Sequence, residues 1–204
     1  MDKVVITISR EYCSGGLKVG KLLAEDLGIA CYDSEMFHLV STSTNMKKSL
    51  AEQDDRIRDT SLYAIASEKY EGNLPSETDE LVDLKNIYNY QSEIIRSLAD
   101  KESCVIVGRC SNYILRDRKD TTSIFVHASI DFRMKRASTV HNMETEELRT
   151  YIHKMDQKKA DYYMNYTGED WYNVTGYELS MDTGRYGIRG TVDKIEAYLK
   201  TYMK

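Results

Sequence analysis

Ser14-Gly15-Gly16 stands between the apolar run VVITI and a helical pattern. Glycines there let the backbone curl so that several N–H groups share one concavity, and the following helix adds its positive end. That is the requirement for cradling phosphate. Phosphate loops of the G-x-x-x-x-G-K-[ST] type end on a lysine and a hydroxyl, whereas Gly16 and Leu17 occupy those places here. The missing cation has three candidate replacements, Lys18, Arg10 and Lys21, of which Lys18 is nearest in sequence. The rival reading of the same residues is an ordinary strand-to-helix turn without a ligand.

Arg109 follows the buried-strand pattern CVIVG. A guanidinium at the end of a strand offers a planar fork suited to phosphate; it can equally pair with a surface acid. Asp33 and Ser34 follow the short run IACY and serve either as a helix cap or as contacts to an acceptor. The segments FRMKR and HKMDQKK place Arg133, Arg136, Lys154, Lys158 and Lys159 on two consecutive helices. Charged helix faces are commonly solvated. Beside a phosphate loop, they also fit a cationic clamp around a transferring phosphoryl group. Among the 16 tyrosines, several are available to stack on a base, and none is singled out.

The elements that must position these groups alternate. Strands are expected at Lys3–Ile8, 29–32, 104–108, 123–128 and 177–181, with helices after Gly16, over about 87–100, 131–140 and 144–164, and at the C-terminus. Val19, Leu22, Leu23 and Leu27 recur at helical spacing before Gly28, and Val192, Ile195, Leu199 and Tyr202 line the last helix. Residues 43–85, with the lone Pro75, read as a helical insert with an exposed loop, in which SLYAIA is helical and partly buried. Strands alternating with helices give an α/β fold with a parallel sheet covered on both faces. Ligands in such sheets bind beyond the strands' C-terminal ends, where the candidate residues all fall.

The chain has 204 residues, 41% apolar and 30% charged, with a net charge of −5. That suits one globular domain and disfavours bulk nucleic-acid binding, which leaves a basic footprint. No apolar run reaches the roughly 20 residues of a membrane span, and the N-terminus lacks a signal-peptide pattern. The four cysteines form no CxxC pair, so they read as reduced thiols of a cytoplasmic protein, and with the four histidines scattered a zinc site is not expected.

The opening ITISREYCSGGLKVGKLLAEDLGI, with Arg-Glu-Tyr before Ser-Gly-Gly, resembles the start of the cytidylate kinase-like family of P-loop nucleoside monophosphate kinases. VIVGRCSNYIL, CYDSE, MDQKKADYYMNYTGEDW and YELSMDTGRYG resemble its Gly-Arg strand end, acceptor segment, lid and final strand, so the likeness covers nearly the whole chain. The resemblance implies a P-loop three-layer fold with a five-stranded parallel sheet. It implies one domain, with a core of 1–34, 86–140 and 176–204, a helical acceptor-binding insert at 35–85 and a helical lid at 141–175. It also implies an ATP- and Mg²⁺-dependent phosphotransferase converting a nucleoside monophosphate, most simply CMP or dCMP, to the diphosphate. Arg10, Ser14, Gly15, Gly16 and Lys18 would hold the donor; Asp33, Ser34 and Arg109 would face the acceptor; Lys18, Arg133, Lys158 and Lys159 would neutralise the moving group. Two residues depart from the family's pattern, Lys159 standing where Arg tends to be and Cys13 where Gly is often found. The resemblance makes the missing loop lysine a feature of this branch. Against ordinary cytidylate kinases Leu17 also replaces the hydroxyl that helps hold Mg²⁺, leaving Ser9 and Ser14 as candidates to hold it. Two further readings stay open, a kinase for another phosphorylated small molecule and a non-catalytic nucleotide-binding switch.

Overall fold

The strands are richest in apolar, β-branched residues at the centre of the sheet, in VITI and CVIV, as a parallel sheet buried on both faces demands. In the computed structural model, which describes residues 3–37, 61–70 and 80–202, they are β1 (Val5–Arg10), β2 (Ala30–Asp33), β3 (Cys104–Val107), β4 (Thr121–His127) and β5 (Leu179–Asp182). All pair in parallel, in the order β2-β3-β1-β4-β5. Alternation along each strand feeds two cores. Ile6, Ile8, Val105 and Val107 face α1 (Gly16–Leu27) and the last helix, meeting Val19, Leu23, Val192 and Ile195. Val5, Cys104, Ile106 and Phe125 face the other way, onto Ile94, Ile95 and Leu98.

Those last three belong to α3 (Glu80–Lys101), which begins before the expected 87. The helix α2 (Ser61–Tyr70) contains SLYAIA as anticipated, with Leu62 and Ala66 fully buried. Much of the expected insert, including DDRIRD and the Pro75 loop, falls outside the described residues. The short α4 (Ser111–Ile114) follows β3, and α5 (Ile130–Ala137) follows β4. The expected lid region holds α6 (Thr145–Thr167), longer than the polar pattern indicated. Its buried residues Leu148, Ile152, Asp156 and Tyr163 form a stripe, and the first two pack with Ala137 against Tyr12 and Cys13 of the loop.

The closing helix α7 (Thr183–Tyr202) starts well before Val192 and is broken at Gly187, whose φ of 68° and ψ of 170° are not helical. The carboxylate of Asp182 accepts hydrogen bonds from the Gly184 and Arg185 amides and so starts its first turn. The hydroxyl of Thr183 donates to the carbonyl oxygens of Ser14 and His127, which fastens this end of the helix to the loop after β1.

The phosphate-type loop is held at its far end by how closely α1 approaches the sheet. A Cβ built on Gly20 would stand 2.9 Å from Val107 Cγ2 and 3.2 Å from Ile8 Cδ1. Replacing Gly20 by Val must therefore push α1 off β1 and β3. Overpacking of this kind costs about 1–3 kcal/mol, and thermal denaturation of Gly20→Val is expected to show a fall of several degrees.

Candidate functional site

The loop from Ser9 to Gly16 leaves β1 at a point where the next strand in sequence lies on one side and β4 on the other, so a crevice opens between the ends of β1 and β3. Local hydrogen bonds fix the loop. The Ser14 amide and hydroxyl both donate to the Glu11 carbonyl oxygen, and the Arg136 Nε donates to the Cys13 carbonyl oxygen at 3.0 Å. Cys13 has a φ of 58° and Gly15 a φ of 93°. The first is a left-handed position that glycine adopts at least cost. Gly15 is the N-cap of α1 and offers no capping side chain, leaving the first-turn amides to other acceptors.

The crevice is a cleft of about 280 Å³. Arg10, Ser34, Arg109, Lys158, Lys159 and Trp171 are among the residues that line it. Arg10 Nη2 donates to Ser34 Oγ at 2.8 Å, and Arg109 Nη2 donates to the Ser34 carbonyl oxygen at 3.1 Å. The Arg109 Nε is buried without a hydrogen-bond partner. Arg109 is held in a left-handed backbone run, with φ of 86° at Gly108, 58° at Arg109 and 53° at Cys110. Non-glycine residues in that region cost about 1–3 kcal/mol each, and such strain concentrates at functional positions.

Burial and mutual repulsion leave these cations short of negative charge. Burial pushes the Arg10 guanidinium down to about 10, Arg109 adds to the fall, and Asp33 opposes it. Burial pushes the Lys159 ammonium down to about 8, Arg10 adds to that, and Asp156 opposes it. An anion entering the cleft would meet three cations that carry too little compensation. A larger cavity of about 470 Å³ lies elsewhere, lined in part by Arg116, Arg118 and Glu178. There Arg118 is already satisfied by Asp120 and Asp100 at 2.8 and 2.5 Å, so the smaller cleft is the stronger anion site.

The other expected residues are distributed unevenly. Ser14 is buried, and Gly15 and Gly16 form the loop. Lys18 is exposed on α1 and is not among the residues lining the cleft. Lys158 is an exposed residue of its rim. Asp33 does both of the things open to a carboxylate there. Its Oδ1 accepts from the Glu35 and Met36 amides, capping the turn that follows β2, and its Oδ2 pairs with Lys21 at 3.5 Å. Arg133 is buried and committed to acids, bonding Asp156 and standing 3.5 Å from Glu11. It lies outside the cleft lining and orders the loop through those two carboxylates.

Two residues outside the expected set matter. Asp156 is 3% exposed and also accepts from the Tyr12 amide at 2.6 Å and from Lys159 at 3.3 Å. Its signal in the sequence was an acid one turn beyond Ile152 on the buried stripe of α6. Trp171, the only tryptophan, sits 5.7 Å from the Lys159 ammonium, which is also 5.2 Å from the Tyr12 ring. Tyr162 adds an aromatic wall 5.8 Å from the Arg109 guanidinium.

A magnesium ion would need oxygen ligands in or beside the loop. Ser14 Oγ is turned to the Glu11 carbonyl, Leu17 has no hydroxyl, and no group of three or more His, Cys, Asp or Glu side chains suited to a metal occurs among the described residues. Among the described residues, these groups do not build a protein-held magnesium site. The four cysteines are free, and among the described residues no helix is long and apolar enough to cross a membrane.

Residues 5–185 match the cytidylate kinase-like family. Over 191 residues, 93% of this chain and 94% of the relative, the sequence is 26% identical to a cytidylate kinase of Methanothrix thermoacetophila. Its fold is similar to a crystallised uncharacterized protein from Eubacterium ventriosum, at a TM-score of 0.73 and 24% identity over 97% of this chain and 99% of that one. It is also similar to shikimate kinase from Bacteroides thetaiotaomicron, at 0.55 and 15% identity over 97% and 98% of the two chains.

The Lys159–Trp171 contact supplies a direct readout. Emission from Trp171 should change with a midpoint near pH 8, where the Lys159 ammonium loses its proton. The change should vanish in Lys159→Met. Tripolyphosphate, by adding negative charge, should raise the midpoint, and its affinity should fall as pH rises past that value. Between about 8 and the ordinary 10.5 the unfolded chain holds a proton that the folded chain lacks, so this group makes stability rise with pH in that window.

Proposed function

Because the chain belongs to the cytidylate kinase-like family, we propose that it is an ATP-dependent kinase that phosphorylates a nucleoside monophosphate, with CMP or dCMP as the preferred acceptor. The observation that carries this reading is the cleft at the ends of β1 and β3, where Arg10, Arg109 and Lys159 converge with too few acids to balance them. Two phosphate chains meeting there would supply the missing charge. The relative named cytidylate kinase supports the nucleotide acceptor.

The donor's phosphates lie against the Gly15 and Gly16 amides at the start of α1, and the acceptor phosphate lies against Arg109 near Ser34. An oxygen of the acceptor phosphate forms a bond to the γ-phosphorus as the bond from that phosphorus to the β–γ bridging oxygen breaks. The bridging oxygen keeps the electron pair and leaves as part of ADP. The acceptor phosphate is already ionised, so no general base is needed. The protein contributes position and charge. Lys159 and Lys158 come from α6 and cover the cleft, and the aromatic rings of Trp171 and Tyr162 exclude water from it. Arg133 acts at one remove, by holding Glu11 and Asp156. Lys18, on the outer side of α1, is the weakest of the expected donor contacts. Magnesium would enter with the nucleotide's phosphates.

Purified protein should convert CMP or dCMP to the diphosphate when given Mg-ATP, and do so more efficiently than it converts other nucleoside monophosphates or shikimate. Arg109→Ala should raise the acceptor KM or lower kcat by the equivalent of about 1.5–3 kcal/mol, the scale of a lost charged hydrogen bond. Unchanged acceptor kinetics in that variant would remove Arg109 from the site. Tight ATP binding with no product from any acceptor would point instead to a nucleotide-responsive switch.

A further inference from the structure

In the motif G-x-x-x-x-G-K-[ST], the lysine side chain reaches the β- and γ-phosphates. Laying Gly15 on the second glycine of that pattern puts Arg10 at the first glycine and Gly16 at the lysine. Glycine and cation have changed places. The structure shows why the two changes belong together. A Cβ on Gly16 would stand 2.4 Å from Arg10 Cβ and 3.0 Å from its Cγ. Neither atom is the movable end of a side chain, so residue 16 must remain glycine while residue 10 carries a side chain. The Arg10 stem lies across the Gly16 backbone, in the space a side chain at position 16 would take.

From there the guanidinium runs into the cleft. It hydrogen-bonds Ser34 Oγ and lies so near Gly108 that a Cβ on that glycine would stand 2.4 Å from Arg10 Nη1. Arg109 and Lys159 are its charged neighbours. The placement differs from that of Lys18, which is exposed and absent from the cleft lining.

We propose that Arg10 is the catalytic cation of this phosphate loop, performing from the end of β1 the service that lysine performs from the start of the following helix. Its hydrogen-bonded contact with Ser34 sets it between the loop and the acceptor side, so that it touches the phosphoryl group as that group passes from one to the other. Arginine suits this place better than lysine would, because its fork serves two oxygens at once. The assignment rests on the proposed phosphoryl transfer, and the experiment separates the two.

Three variants decide it: Arg10→Ala, Gly16→Lys, and the double Arg10→Gly with Gly16→Lys, which rebuilds the ordinary motif. Each is assayed for diphosphate formation from Mg-ATP and CMP, for tripolyphosphate affinity by Trp171 emission, and for its melting midpoint. Arg10→Ala should keep its fold and lose about 10²- to 10³-fold in kcat. It should also bind tripolyphosphate about 10- to 100-fold more weakly. Gly16→Lys alone should melt about 5 °C or more below the wild type, from the collision with Arg10. The double variant should recover both melting midpoint and activity relative to Gly16→Lys, the remaining 3.2 Å approach to Val126 Cβ being small enough to relax.

A wild-type chain that binds tripolyphosphate but phosphorylates no nucleotide ends the nucleotide-kinase reading; weaker binding by Arg10→Ala then still supports Arg10 as the loop cation. Arg10→Ala within about threefold of the wild type in both binding and turnover overturns the assignment. So does a wild-type chain that binds no polyphosphate, which ends both. A folded double variant with no more activity than Gly16→Lys also overturns it. If the double variant does not fold, Arg10→Ala alone decides.

Discussion

The carboxylate of Asp156 joins the helix over the cleft to the loop beneath it. It accepts hydrogen bonds from the Tyr12 amide, from Arg133 and from Lys159, so α6, α5 and the β1–α1 loop meet on one buried acid. A charge taken out of water is tolerable only when its partners are complete, and removing one member of a buried pair costs more than the pair contributes. Asp156 therefore fixes positions more than it adds stability. With Asp156 in place, Arg133 is turned from the cleft and Lys159 is turned into it. Glu11 completes the arrangement by accepting from the Ala128 amide and standing by Arg133, which ties the loop to the end of β4.

The outcome is an unequal division of charge. Acids concentrate behind the loop, where Glu11 and Asp156 pair with Arg133, while the cleft keeps Arg10, Arg109 and Lys159 with little to balance them. Asp33 could have neutralised Arg10 more fully, but one of its oxygens caps the next turn and the other faces Lys21. A protein of net charge −5 thus holds a local positive site.

Much of the frame was legible in the sequence because parallel strands buried on both faces leave continuous apolar runs. VITI and CVIV could hardly be anything else, and Gly28 marked the end of α1 where its φ of 65° permits the turn. The boundaries of α3 and α7 were less legible. The start of α3 falls at the end of the polar run GNLPSETDE, and α7 contains a break at Gly187 that periodicity over Val192, Ile195 and Leu199 does not register. In the site, the Ser-Gly-Gly loop and the Gly-Arg strand end were visible as local patterns. Proximity in sequence favoured Lys18 as the replacement cation, yet Arg10 lies across Gly16 and enters the cleft. The division of labour between Arg133 and Lys159 was hidden too, because it depends on where a single acid from α6 is buried.

In the proposed reaction, two phosphate chains meet among Arg10, Arg109 and Lys159. The most direct test is a crystal structure with a bisubstrate analogue in which a phosphate chain links adenosine to cytidine. The chain should run from the Gly15 and Gly16 amides into the cleft, with its middle phosphates bonded to Arg10 and its cytidine-side phosphate to Arg109. Phosphates bound elsewhere, or bound here with Arg10 and Arg109 uninvolved, would contradict it.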